Sequence, residues 1–257
     1  MQKTLIIGDL HGEFAGLNQF LHRMHPNRRP DLVLQVGDFG FFPNYIHKFH
    51  NFETNKVKQV RPYDPRKRVK LPADVQLHWT DGNHEDHRTL AKLVEQHGYD
   101  RPIEVARQCF YQPRGSHMTL EDGRVVLFLG GAFSVDHQFR NDHHPDLELL
   151  DEEVLDRLPP RIDIVISHTA PTSILQQIQP FLPPMPAVWD DSPDPSCDVL
   201  QRVLWDRRKQ IKHWFFGHLH HFQQGETPDG CRWTALSCLG GDPARCSAWL
   251  PEKGEQK

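Results

Sequence analysis

Short apolar runs rich in β-branched and aromatic residues recur along the chain, and each ends in a small residue followed by a polar one: TLIIGD, DLVLQVGD, VQLHWTDGNH, VVLFLGG, DIVISH and KHWFFGH. Each run is too short for a helix and lacks clean period-2 alternation, which is the pattern of strands buried on both faces. Between several of them lie segments with helical patterning, over residues 13–25, 86–97, 147–158 and 198–210. Strand, polar turn, helix and strand in succession predict an α/β fold with right-handed crossovers, in which ligands gather at the carboxyl ends of the strands. The polar residues that end the runs should therefore converge in space.

Two segments break this rhythm. Residues 43–74 form an irregular, basic insert between the second and third strand signals, with Lys56, Lys58, Arg61, Arg66, Lys67, Arg68 and Lys70. Residues 180–195 hold six prolines in PFLPPMPAVWDDSPDP, which predicts a stiff extended loop. No internal repeat of fixed period is present, which argues against a solenoid or propeller. At 257 residues the chain is expected to form one domain with a sizeable core.

Composition changes this picture in one respect. The formal charge of -4 gives no global basic field to recommend nucleic acid as a partner. The five cysteines are odd in number and form no Cys-x-x-Cys pair, so they read as packing residues of a protein from a reducing compartment. With no apolar run of membrane-spanning length and no signal-peptide pattern, a cytoplasmic protein without membrane contact is expected. Histidine, however, accounts for 18 residues, which invites a search for metal ligands.

The strand ends supply them: Asp9 and His11 in GDLHGE, Asp38 in VGDFG, Asn83 and His84 in DGNHED, His168 in SHTAP, and His218 and His220 in FGHLHH. Carboxylate, imidazole and amide oxygen make a mixed N/O set suited to divalent manganese, iron or zinc, and the lack of thiolate argues against a structural zinc site. In an extended segment residues two apart point the same way, so D-x-H and H-x-H each offer two ligands to one side. Apart from His84, the seven ligands are too many for one tetrahedral ion and too few for two unless one is shared. A carboxylate is the natural bridge, and Asp38 is the candidate. Gly8, Gly37, Gly82 and Gly217 each precede a ligand, where a missing side chain lets backbone approach closely.

The series GDLHG, GD, GNHE, H and GHLH, in that order, resembles the calcineurin-like metallophosphoesterases over residues 8–220. The resemblance implies a four-layer α-β-β-α sandwich with a dinuclear centre. One ion would be held by Asp9, His11, Asp38 and His220, and the other by Asp38, Asn83, His168 and His218; manganese is favoured. Two such ions would clamp a phosphoryl group and supply a bridging hydroxide as nucleophile, while His84 protonates the leaving oxygen. The expected activity is hydrolysis of a phosphomonoester, whether phosphoprotein, nucleotide or small phosphoester. Phosphodiester or RNA cleavage, with the basic insert following a phosphate backbone, is the alternative, and a non-catalytic binding scaffold the third.

The chain departs from the protein Ser/Thr phosphatases of that family after Asp38, where GDFGFFP stands in place of G-D-x-x-D-R-G. The aspartate that would orient His84 and the arginine that would grip phosphate are both missing. Asp86, Asp81 and Asp136 are candidates for the first role, and Arg140 and Arg114 for the second. Asp136 and Arg140 fall together in LGGAFSVDHQFR, a stretch similar to one in bacterial and phage metallophosphoesterases.

Overall fold

The computed structural model describes residues 2–44, 47–51, 56–60, 64–140, 143–184, 188–240 and 242–254. In chain order the strands are β1 (Thr4–Ile7), β2 (Leu32–Gln35), β3 (His47–Asn51), β4 (Lys56–Val60), β5 (Gln76–Trp79), β6 (Ile103–Ala106), β7 (Cys109–Tyr111), β8 (His117–Thr119), β9 (Val125–Leu129), β10 (Ile164–Ser167), β11 (His213–Phe216), β12 (Gln223–Glu226), β13 (Arg232–Ala235) and β14 (Ser247–Trp249). The helices are α1 (Phe14–Arg23), α2 (Pro65–Arg68), α3 (His87–His97), α4 (Pro145–Glu148), α5 (Thr172–Ile178), α6 (Pro195–Arg207) and α7 (Pro243–Cys246). Two six-stranded sheets run β14-β1-β2-β5-β7-β6 and β12-β13-β11-β10-β9-β8. Each has four parallel strands at its centre and an antiparallel strand on either edge.

Three apolar clusters make this a four-layer stack. Leu5 and Ile7 of β1 point to a cluster shared with Leu17 and Leu21 of α1 and Leu90 of α3. Ile6, between them, points the other way, into a layer with Leu34 of β2, Phe128 of β9 and Ile166 of β10. Val165 of β10 faces a third cluster with Ile174 of α5 and Leu200 of α6. Strand side chains alternate between faces, so a strand apolar at every position must be covered on both sides. That is why the runs lack alternation, and it yields the order α-β-β-α.

The helices start where their caps dictate. Asp86 accepts the Thr89 backbone N–H at 3.1 Å to open α3, and Asp194 accepts that of Ser196 at 2.9 Å to open α6, with Pro195 at its first position. The helix expected over residues 147–158 is instead α4 followed by a 3₁₀ segment, Glu152–Arg157. Asp151 is extended and accepts the Glu153 N–H at 2.7 Å, a cap that starts a new turn and forbids one continuous helix. The insert at 43–74 is also more regular than expected, since β3 and β4 pair antiparallel and α2 follows; Arg61 and Tyr63 lie outside the described residues.

The register of the parallel strands brings their carboxyl ends level, Ile7 with Gln35 and Gln35 with Trp79 in one sheet, Leu129 with Ser167 in the other. Buried polar groups then fix the turns. Gln35 donates to the carbonyls of Gly8 (3.2 Å) and Gly37 and accepts the Gly37 N–H at 3.1 Å, stapling the β1 and β2 exits together. Glu85, fully buried, receives the backbone N–H groups of Phe39 at 2.6 Å, Gly40 at 3.4 Å and Phe41 at 2.5 Å. It holds the loop that carries Asp38.

Glu85→Gln puts an NH2 group against backbone N–H donors that have no water to turn to. We expect a loss of about 2–3 kcal/mol in the urea unfolding free energy of the metal-free protein. An unchanged midpoint would show that this loop does not depend on the carboxylate.

Candidate metal centre

All of the strand-end residues singled out above lie at the carboxyl ends of central parallel strands. Asp9 and His11 follow β1, Asp38 follows β2, Asn83 and His84 follow β5, His168 follows β10, and His218 and His220 follow β11. The two sheets contribute through facing loops, and hydrogen bonds tie them. The His218 N–H reaches the Asp9 carboxylate at 3.0 Å, the Gly217 N–H reaches the His168 carbonyl at 2.9 Å, and the His84 N–H reaches Asp38 Oδ1 at 2.8 Å.

The backbone is strained where these side chains emerge. Five non-glycine residues among those described have positive φ, and four are His11, Asp38, His218 and His220. Each such residue costs on the order of 1–3 kcal/mol, and strain of this kind persists where function demands the geometry. Glycines give the room. A Cβ at Gly82 would strike the Asp38 carboxylate, and one at Gly217 that of Asp9.

Asp9, His11, Asp38 and His220 offer four ligand atoms all within 4.8 Å of one another, a possible metal site. The Nε2 atoms of His11 and His220 face each other at 2.9 Å, His220 Nε2 is 3.2 Å from Asp9 Oδ2, and His11 Nε2 is 3.6 Å from Asp38 Oδ2. A second set centres on Asn83. Its Oδ1 lies 2.9 Å from His168 Nε2 and 3.1 Å from His218 Nδ1, and His168 Nε2 is 3.3 Å from Asp38 Oδ1. The two oxygens of Asp38 thus face different sets.

The chemistry of the Asn83 set fits a cation. His168 Nδ1 lies 3.1 Å from the Val36 carbonyl; carrying its proton there, the ring presents a bare Nε2 lone pair to two oxygens. Asn83 Nδ2 donates to Ser134 Oγ at 3.1 Å, which turns the amide oxygen inward as another acceptor. Lone pairs converging without protons between them repel unless a positive charge sits among them.

Electrostatics agree. Burial opposes ionisation of Asp38, but His168, His84, His11 and the His84 N–H outweigh it and hold the carboxyl well below its usual range. Burial, with His168 beside it, pushes His218 down to about 4, so its ring is neutral at pH 7. The hydrogen bond to Asp9 holds His220 above the usual imidazole value in the metal-free protein.

His84 stands beside the cluster, its ring 5.6 Å from that of His11. Burial depresses its pKa well below the ordinary value against the pull of Asp38; the side chain is still 30% exposed, open to the cleft, which moderates that depression. Of the three carboxylates considered as its orienter, Asp136 is the one in reach, with Oδ2 3.7 Å from His84 Nε2. Asp86 caps α3, and Asp81 is committed to Arg114 and to the Tyr111 hydroxyl at 3.0 Å. Arg114 is spent on Asp81 and on the Leu149 carbonyl. Arg140 donates to the Asn83 carbonyl at 3.0 Å and to Ser134 Oγ at 2.6 Å.

Sequence reasoning missed the support behind Asn83. Ser134 Oγ donates to buried Glu148 at 2.5 Å, and Glu148 also takes the His143 ring at 2.9 Å. The only hint was the polar Ser134 directly after LGGAF; nothing marked Glu148, fourteen residues on. The five cysteines are free, and among the described residues no helix is long and apolar enough to cross a membrane.

Comparison with known proteins bears on this geometry. A Thermus thermophilus crystal structure superposes over 97% of this chain and 98% of its own with a TM-score of 0.50 at 12% identity. A second solved structure covers 97% and 94% with a TM-score of 0.54 at 13% identity. Phosphopantetheinyl hydrolase from Mycobacterium tuberculosis aligns over 99% and 98% with a TM-score of 0.46 at 14% identity. No curated protein matches by sequence. The profile of the calcineurin-like phosphoesterases matches residues 2–222, most of the chain and every motif above, and the protein belongs to that family of metal-dependent phosphoesterases.

Proposed function

We propose that the chain hydrolyses phosphomonoesters with two divalent ions, manganese by preference, one held by Asp9, His11, Asp38 and His220 and the other by Asp38, Asn83, His168 and His218. The observation that carries this reading is the split of Asp38, with Oδ2 toward His11 and Oδ1 toward His168. When bound, such a pair supplies positive charge for phosphoryl oxygens and a water of lowered pKa.

The protein's own part is positioning and proton control. Val36 fixes the His168 tautomer, and Ser134 and Arg140 hold Asn83 with its oxygen inward. His84 faces the cleft and acts on the leaving oxygen. Its resting form at pH 7 is neutral, so it first takes a proton from solvent when a dianionic phosphate raises its affinity and then passes that proton to the leaving oxygen, with Asp136 orienting the ring. Burial pushes the Asp136 carboxyl above its usual range, so it holds a proton more readily than an exposed aspartate does.

A monoester is favoured over nucleic acid because the cleft offers nothing to flanking phosphates. Among the described residues lining it there is no lysine or arginine. Binding along a polyanionic backbone rests on such cations. In the basic insert, Arg66 is paired with Asp64 at 2.8 Å.

Asp38→Asn is expected to weaken binding of both ions, seen as loss of manganese from the purified protein by elemental analysis; two ions retained with full activity would refute the bridge. His84→Ala should keep the metal content and lower kcat on a phosphomonoester by on the order of 10² or more. Wild-type turnover in that variant would remove His84 from the chemistry. A shift of activity toward short RNA over monoesters would overturn the monoester assignment.

A further inference from the structure

Above the strand-end cluster opens a cavity of about 620 Å³, within the range of small-molecule sites. Asp38, Asn83, His84 and His218 form one end. The other end is of a different character. The proline-rich segment after α5 brings Leu182, Pro183, Pro184 and Trp189 to the lining, together with Val135. An apolar wall directly beside a charged phosphoryl site has no part in binding phosphate.

This wall is tied in place. The Asp190 N–H donates to the Val135 carbonyl at 2.8 Å, and Gln138 Nε2 donates to the Val188 carbonyl at 3.0 Å. These bonds fix the residues on both sides of Trp189 against the segment that also carries Asp136. Trp189 keeps 42% of its surface exposed and lines the cavity. A rigidly framed, half-open indole at the mouth of a catalytic cleft is a surface on which a flat ring can stack.

We propose that Leu182, Pro183, Pro184 and Trp189 form the leaving-group subsite and that it selects esters of a single phosphate whose alcohol carries a planar aromatic group, aryl or nucleobase. The inference rests on the phosphomonoesterase reading and adds to it what lies beyond the ester oxygen. A single phosphate follows from the lining, since a second would meet no lysine or arginine among the described residues there. The ring follows from Trp189, Leu182 and the two prolines, which give it apolar faces and no charge to desolvate.

Two matched substrate pairs test this with manganese-loaded protein, because each pair shares a primary alkoxide leaving group and differs only in the ring: benzyl against butyl phosphate, and adenosine 5'-monophosphate against ribose 5-phosphate. The ring-bearing member should lead in kcat/KM on the order of tenfold, and Trp189→Ala should bring each pair to within about twofold. Trp189→Phe should keep the preference. Binding of benzylphosphonate against butylphosphonate, followed by calorimetry, should give the same ratio without turnover. If one pair alone shows the preference, the subsite is aryl-specific or nucleobase-specific accordingly, and the inference stands in that narrower form. Hydrolysis of all four with no ring preference, or a preference that survives Trp189→Ala, would overturn the subsite and leave the phosphomonoesterase reading intact. Failure to hydrolyse any of the four would overturn that reading and this inference with it. The wild-type comparison decides the matter even if the alanine variant does not fold.

Discussion

The carboxylate of Asp38 sits where the exits of two separate sheets meet, nearly excluded from water, with one oxygen turned to His11 and the other to His168. A buried charge in that position is tolerable only if it is surrounded by donors and positive charge. Much of the surrounding structure reads as a response to that demand. The His84 N–H meets Oδ1, the Asp38 carbonyl itself receives the N–H groups of Leu10 and His11, and Glu85 pins the backbone just beyond. Left-handed backbone at Asp38 and at three of the neighbouring histidines is what allows the side chains to face inward together.

The four-layer arrangement serves the same end. Because the central strands of both sheets are parallel and level, the five loops that carry the site residues, from distant parts of the chain, open on one side. The three apolar layers fix the strands, so the loops can be strained without the frame giving way. Rigid elements beneath, strained loops above, is a division of labour that suits a centre whose ligands must keep their places when a charged substrate arrives.

Much of this was legible in the sequence, and what was hidden follows from the range of each interaction. Double-faced apolar runs such as TLII and DIVIS announce central strands, and the polar residue ending each run marks the site, because both depend on local pattern. Edge strands such as β8 and β12 carry no apolar signature, being paired on one side only, and went unforeseen. The helix expected over 147–158 failed because one cap at Asp151 outranks periodicity. Among the site residues, those that touch the cluster stood out by type and spacing, whereas Ser134, Glu148 and Glu85 act through hydrogen bonds that only the folded chain brings together. Asp136 could be shortlisted but not chosen over Asp81 and Asp86 until Arg114 and the α3 N-terminus were seen to occupy those two.

The most direct test is anomalous diffraction from wild-type crystals grown with manganese. The account requires two peaks about 3.5–4 Å apart, one on each side of the Asp38 carboxylate. A single peak, or manganese sites that leave Asp38 in contact with neither ion, would contradict it.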